Sequence, residues 1–144
     1  PGAAPREKAQ MKSLDTNILV RYYVQYEPRQ GAIATRIITK EPELFVSKTV
    51  VAEFEWVLRG YYEITPDKIH AALAHLLRLG NVTVEQADTV EAALRYYQLG
   101  IDFTDALHLA SSQHCGTLLT FDDKKFARRA RRLALKPPVT VPAV

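Results

Sequence analysis

The sequence predicts an α/β fold, a three-layer α/β/α sandwich built on a mainly parallel central sheet. Three observations predict it. Short apolar runs alternate with longer stretches of helical periodicity, Gly, Pro and capping residues mark the joins, and acidic residues recur immediately after apolar runs. Strand and helix alternating at such intervals favour parallel βαβ connections with helices covering both sheet faces.

Residues 11–14 form a short apolar run suited to a buried strand, which Asp15-Thr16-Asn17 ends while capping a helix that runs past Val20 to Tyr23. Residues 30–40 place Ile33, Ile37 and Ile38 on one helical face, and Leu44-Phe45-Val46 reads as the second strand. Ser47 is a suitable cap for a helix over 49–59, whose stripe of Val50, Phe54, Val57 and Leu58 has Glu53 beside it. Thr65-Pro66-Asp67 opens a further helix that Ile69, Leu73, Leu76 and Leu77 carry to Gly80. Val82-Thr83-Val84 is the third strand. Helices over 88–99 and 104–114 follow, then a strand over 117–120, a helix over 124–133 and an edge strand over 139–141.

The 144 residues suffice for one domain with its own core. We assign it to residues 11–144 and read residues 1–10, rich in Ala and Pro and without apolar period, as an appended or disordered tail. The apolar share of 47% and charged share of 24% exclude a disordered composition. The formal charge of +3 is too small to name a partner by itself. No window approaches the roughly 20 apolar residues of a membrane helix, so no membrane association is expected and a cytoplasmic location is. The single Cys115, next to Gly116, cannot form an internal disulfide and reads as buried or inert.

The chemistry lies in four acids from separate elements: Asp15 at the end of the first strand, Glu53 on an early helix, Asp105 at the start of a later one, and Asp122 after the late strand. In open parallel sheets, sites form beyond the carboxyl ends of the strands, so Asp15 and Asp122 are expected on one rim. Carboxylates gathered there raise one another's pKa unless a cation offsets their charge. Oxygen donors favour Mg2+ or Mn2+, and the His and Cys spacings of a zinc site are missing. Such an ion can activate water and stabilise a departing oxygen in phosphodiester hydrolysis. No Gly-x-Ser-x-Gly, His-Glu-x-x-His or Gly-rich phosphate loop competes with this reading.

Each acid also has a plainer use. Asp15 can be an N-cap only, Glu53 can reach solvent from the stripe's edge, and either Asp122 or Asp123 can cap the last helix. Asp102 suits the helix macrodipole near Asp105 and reads as the bystander of the two. His108 can share the Asp105 face, whereas His70, His75 and His114 show no partner spacing. Lys124, Lys125, Arg128, Arg129, Arg131, Arg132 and Lys136 place seven basic residues within thirteen positions. They form either a solvated face or a phosphate-tracking patch, with Lys124, Lys125, Arg128 and Arg129 the candidate nucleic-acid contacts.

Leu14-Asp15-Thr16-Asn17, Val51-Ala52-Glu53, residues 102–107 (Asp-Phe-Thr-Asp-Ala-Leu) and Leu119-Thr120-Phe121-Asp122 together resemble the PIN-domain nucleases, most closely the VapC-type toxins of toxin-antitoxin pairs. The resemblance implies that Asp15, Glu53, Asp105 and Asp122 form a catalytic, metal-binding quartet, supported by Thr16, Asn17 and Thr120. It implies a Mg2+- or Mn2+-dependent endoribonuclease, a homodimer, and a small cognate antitoxin that inserts a basic residue into the acidic pocket. The rival readings are a PIN nuclease of RNA maturation and a non-catalytic module whose acidic rim captures basic partners. A phosphatase of the haloacid-dehalogenase type would need a second Asp where Asn17 stands.

Overall fold

The computed structural model describes residues 10–143, so residues 1–9 of the expected tail lie outside the described part. The chain runs β1 (Lys12–Ser13), α1 (Thr16–Tyr23), α2 (Pro28–Lys40), β2 (Leu44–Val46), α3 (Lys48–Gly60), α4 (Pro66–Arg78), β3 (Val82–Val84), α5 (Ala87–Gln98), α6 (Phe103–Ala110), β4 (Leu118–Leu119), a π-helical turn (Asp123–Ala127), α7 (Arg128–Arg132) and β5 (Val139–Thr140). Every strand pairing is parallel, as the alternation of elements requires. The pairings form two sheets: β1, β2 and β3 in that spatial order, and β4 with β5. The α/β character is as expected, with the sheet divided between β1 and β4.

Local signals account for the helix starts. Asp15 Oδ1 accepts from the Thr16 amide at 2.8 Å, Ser47 Oγ accepts from Val50 at 3.2 Å, and Glu27 accepts from Arg29 and Gln30 at 3.2 and 2.6 Å. Each satisfies an amide that the first helical turn leaves without a partner. Leu44 and Val46 of the central strand β2 are completely buried, and Leu19, Val51, Phe54, Ile69 and Ala106 from the surrounding helices are equally so. That shared core fixes how α1, α3, α4 and α6 lie against the strands.

Three sequence expectations change in the structure. The buried stripe of α3 is Val51, Phe54, Glu55 and Leu58, with Val50 and Val57 only half-buried. It is rotated by about one residue from the predicted face, and it puts an acid inside. Helix α6 stops at Ala110 rather than His114 because Ser112 Oγ donates to the His108 carbonyl at 2.7 Å and Gln113 Nε2 donates to the Leu109 carbonyl at 3.0 Å. These side chains use the carbonyls that another helical turn would need. Cys115, in the turn that follows, is exposed and not buried.

Of the tyrosines at helix ends, Tyr61 is 76% exposed, but Tyr22, Tyr23 and Tyr62 pack partly against the core. Tyr23 also bonds through its hydroxyl to His75 Nδ1 at 2.8 Å, a partner the spacing of the histidines does not reveal. Among the described residues, no helix is long and apolar enough to cross a membrane.

Candidate active site

A cavity of about 620 Å³ opens between the end of α5, the start of α6 and the π-helical turn. Its acids are Asp102, Asp105 and Asp122, and its cations are Arg59, Lys125 and Arg129. Phe126, 3% exposed, and Ile101, 2% exposed, give it an apolar floor.

Helix α6 buries Phe103, Ala106, Leu107, Leu109 and Ala110, which leaves Asp105 half-buried on the flank of that face. Burial is the main cause that raises the Asp105 carboxyl above its ordinary value, and Asp102 and Asp122 push the same way while His108 opposes them. Like charges are therefore crowded in this wall. Asp102 stands at the helix N-cap without using its side chain as a cap and lines the cavity, so it is no bystander.

Asp122 lies three residues past the end of β4. Its amide donates to Thr120 Oγ1 at 3.0 Å, and its Oδ1 accepts from the Lys125 amide at 3.0 Å. The two bonds hold the carboxylate across the bend, and the wider π-helical turn behind it adds a bond from the Ala127 amide to the Asp122 carbonyl at 3.0 Å. The neighbouring Asp123 is absent from the cavity wall.

The first two acids form a separate group. Asp15 caps α1, and the next residue, Thr16, 3% exposed, donates its hydroxyl to Glu53 Oε1. Asp15 and Glu53 themselves are exposed and do not line the cavity. The expected quartet is thus present as two pairs, and among the described residues no three Asp, Glu, His or Cys side chains are grouped closely enough to hold one metal ion. Asp15 lies two residues past the end of β1 in one sheet, and Asp122 three residues past the end of β4 in the other. Asn17 lies elsewhere, lining a 250 Å³ hollow with Arg21 and Ile33. Lys125 and Arg129 of the basic run face the cavity, whereas Lys124 and Arg128 do not line it.

Beneath the cavity is a buried network that sequence reasoning missed. Glu55, 1% exposed, accepts from Arg59 Nε at 2.8 Å and Nη2 at 3.3 Å, and from the Tyr97 hydroxyl at 3.0 Å. Burial, with Glu55 next, raises the Tyr97 hydroxyl well above its ordinary pKa, and the Glu55 hydrogen bond raises that of Arg59. Val51, Glu55 and Leu58 share helical spacing, and Arg59 stands four residues after Glu55; that ion-pair spacing on an apolar face was the available signal.

A family model described as PIN domain matches residues 12–132. The chain belongs to the PIN-domain family. Within this PIN domain, the match spans all four acids of the expected quartet and the two pairs into which the structure sorts them. Among solved structures, it is similar to VapC20 of Mycobacterium tuberculosis, described as a toxin that cleaves the sarcin-ricin loop, with 23% identity over 81% of this chain and 92% of that one and a TM-score of 0.41. No curated protein matches the chain.

Proposed function

We propose that this PIN domain is a metal-dependent endoribonuclease acting as the toxin of a toxin-antitoxin pair. The observation that carries the reading is the cavity in which Asp102, Asp105 and Asp122 crowd together beside Arg59, Lys125 and Arg129. Crowded carboxylates suit a cation, and adjacent fixed cations suit a polyanionic substrate.

The donors present are carboxylate and hydroxyl oxygens, which match the hard-ion preference of Mg2+ and Mn2+. Asp105 and Asp122 would supply donors from the cavity and Asp15 and Glu53 the second pair, so the quartet would have to close from two pairs to hold one ion; that ion, when bound, would supply Lewis acidity and activation of water. The protein's own contribution is orientation. The Thr16 hydroxyl holds Glu53, and Thr120 with the Lys125 amide holds Asp122. The apolar floor of Phe126 and Ile101 limits water on one side and strengthens the charges above it. In this reading the protein is a homodimer, and a small antitoxin silences it by placing a basic side chain among the cavity acids.

The direct test is incubation of purified protein with total cellular RNA in Mg2+ or Mn2+, in chelator, and with Asp15→Asn in parallel, followed by mapping of new RNA ends. Discrete cleavage that requires both metal and Asp15 is expected; equal cleavage in chelator would overturn the metal assignment, and no cleavage of any RNA would favour the binding-module reading.

A finer prediction separates the adjacent acids after β4. Asp122→Asn should lower cleavage by about two orders of magnitude, the scale on which a lost charge-stabilising group acts. Asp123→Asn should leave the rate within about twofold. The reverse ranking in single-turnover assays would move the fourth site to Asp123.

A further inference from the structure

The charged side chains of the cavity are not paired with each other. Among the described residues, ion pairs within 4 Å are Lys12 with Glu41 and Arg59 with Glu55. Arg59, Lys125 and Arg129 therefore share a wall with Asp102, Asp105 and Asp122 without closing on them. Cations placed to neutralise those acids would sit in contact with them.

The two guanidiniums are instead tied from behind. Glu55 takes Nε and Nη2 of Arg59 in a two-point contact, and Tyr97 holds Glu55 from its other side. The Nη1 edge of Arg59 has no hydrogen-bond partner among the described residues, and the side chain keeps 42% of its surface exposed. Arg129 donates through Nη1 to the carbonyl of Gly100. Gly100 has a φ of 99°, a left-handed conformation that glycine adopts without strain, and it turns the chain between α5 and α6. Its carbonyl thereby serves as an anchor on the cavity rim. Each arginine keeps donors to spare, and fixing the fork beforehand reduces the entropy lost on binding.

We infer that Arg59 and Arg129 form a clamp for the backbone phosphate of single-stranded RNA flanking the bond to be cut, with Glu55, Tyr97 and Gly100 as its positioning residues. The inference rests on the ribonuclease reading and assigns substrate binding to residues outside the acidic quartet. Planar guanidiniums match phosphate oxygens in two-point geometry, which an ammonium cannot reproduce. A volume of about 620 Å³ lies within the range of roughly 300–1,000 Å³ common to ligand pockets. It leaves room for a nucleotide beside the acids.

The test uses the full chain in chelator with a fluorescein-labelled twelve-nucleotide RNA of mixed sequence, titrated by anisotropy over a range of KCl concentrations. Arg59→Gln and Arg129→Gln should each weaken binding about tenfold and lower the slope of log affinity against log salt by about 0.7, the value for one phosphate contact on a single strand. Arg59→Lys, which keeps the charge and the Glu55 pair, should recover the slope but only part of the affinity. Lys40→Gln, at the exposed end of α2 and outside the cavity, should change affinity less than threefold. Equal losses at Lys40 and at both arginines would replace the clamp with diffuse attraction, and unchanged binding in both Arg→Gln variants with wild-type melting temperature would overturn it. Wild-type cleavage of RNA in Mg2+, measured alongside, separates the two claims. Cleavage with unaffected Arg variants sinks the clamp alone, whereas no wild-type binding or cleavage sinks the ribonuclease reading with it.

Discussion

Asp105→Asn should abolish metal-dependent RNA cleavage, lowering the rate by more than about a hundredfold, or roughly 2.7 kcal/mol of transition-state stabilisation. Asp105 is the acid that the structure crowds most, since burial, Asp102 and Asp122 all oppose its ionisation. The same crowding makes the substitution harmless to the fold. A carboxyl whose pKa rises on folding holds its proton more tightly in the native state, so stability falls as pH rises through that pKa. The native protein is therefore relieved of this penalty below the ordinary carboxyl value of 3.8 and bears it once the pH has risen past the raised folded-state value. In chelator, Asp105→Asn should melt at or above the wild-type temperature at pH 7, and the gap should close on acidification. A variant that lost activity together with several degrees of melting temperature would mean that Asp105 serves folding and not chemistry.

Glu55→Ala should cost about 2–4 kcal/mol of stability, the largest effect expected from a polar substitution in this chain. Removing one partner of a buried ion pair commonly costs roughly 3–5 kcal/mol. Here the cost falls at and below the lower end of that range, because Arg59 is 42% exposed and can turn to water. Tyr97, only 7% exposed, cannot, and its hydroxyl would lose its acceptor. Combining Glu55→Leu with Tyr97→Phe should recover most of the loss, since it removes the donor along with the acceptor and keeps the volume filled. Urea denaturation at neutral pH would measure both. An unchanged midpoint for Glu55→Ala would show that the network bears no part of the fold's stability.

Glu53 and Glu55 show what a linear pattern does and does not convey. Both lie on α3, two residues apart and hence on different sides of the helix, and the short motif around Glu53 marks it as the candidate ligand. The structure leaves Glu53 exposed, under the Thr16 hydroxyl, and buries Glu55 completely. The difference arises from a rotation of the buried face by about one residue, which periodicity alone fixes only loosely. Asp102 is a similar case: its position before α6 suits a cap, but whether its side chain caps or faces a cavity depends on α5 and the π-helical turn.

The sequence by itself determined the alternation of strands and helices, the caps at Asp15 and Ser47, the parallel pairing, and the four acids whose flanking residues place the chain among PIN domains. These are local matters, set by periodicity, capping chemistry and spacing within a few residues. Tertiary structure alone decided that Asp105 and Asp122 share a cavity with Asp102 while Asp15 and Glu53 stand apart, that Glu55 is buried, and that Arg59 and Arg129 face the same opening from α3 and α7. The physical reason is that such juxtapositions join residues tens of positions apart, and they depend on how helices and strands pack around a common core, which no local pattern records.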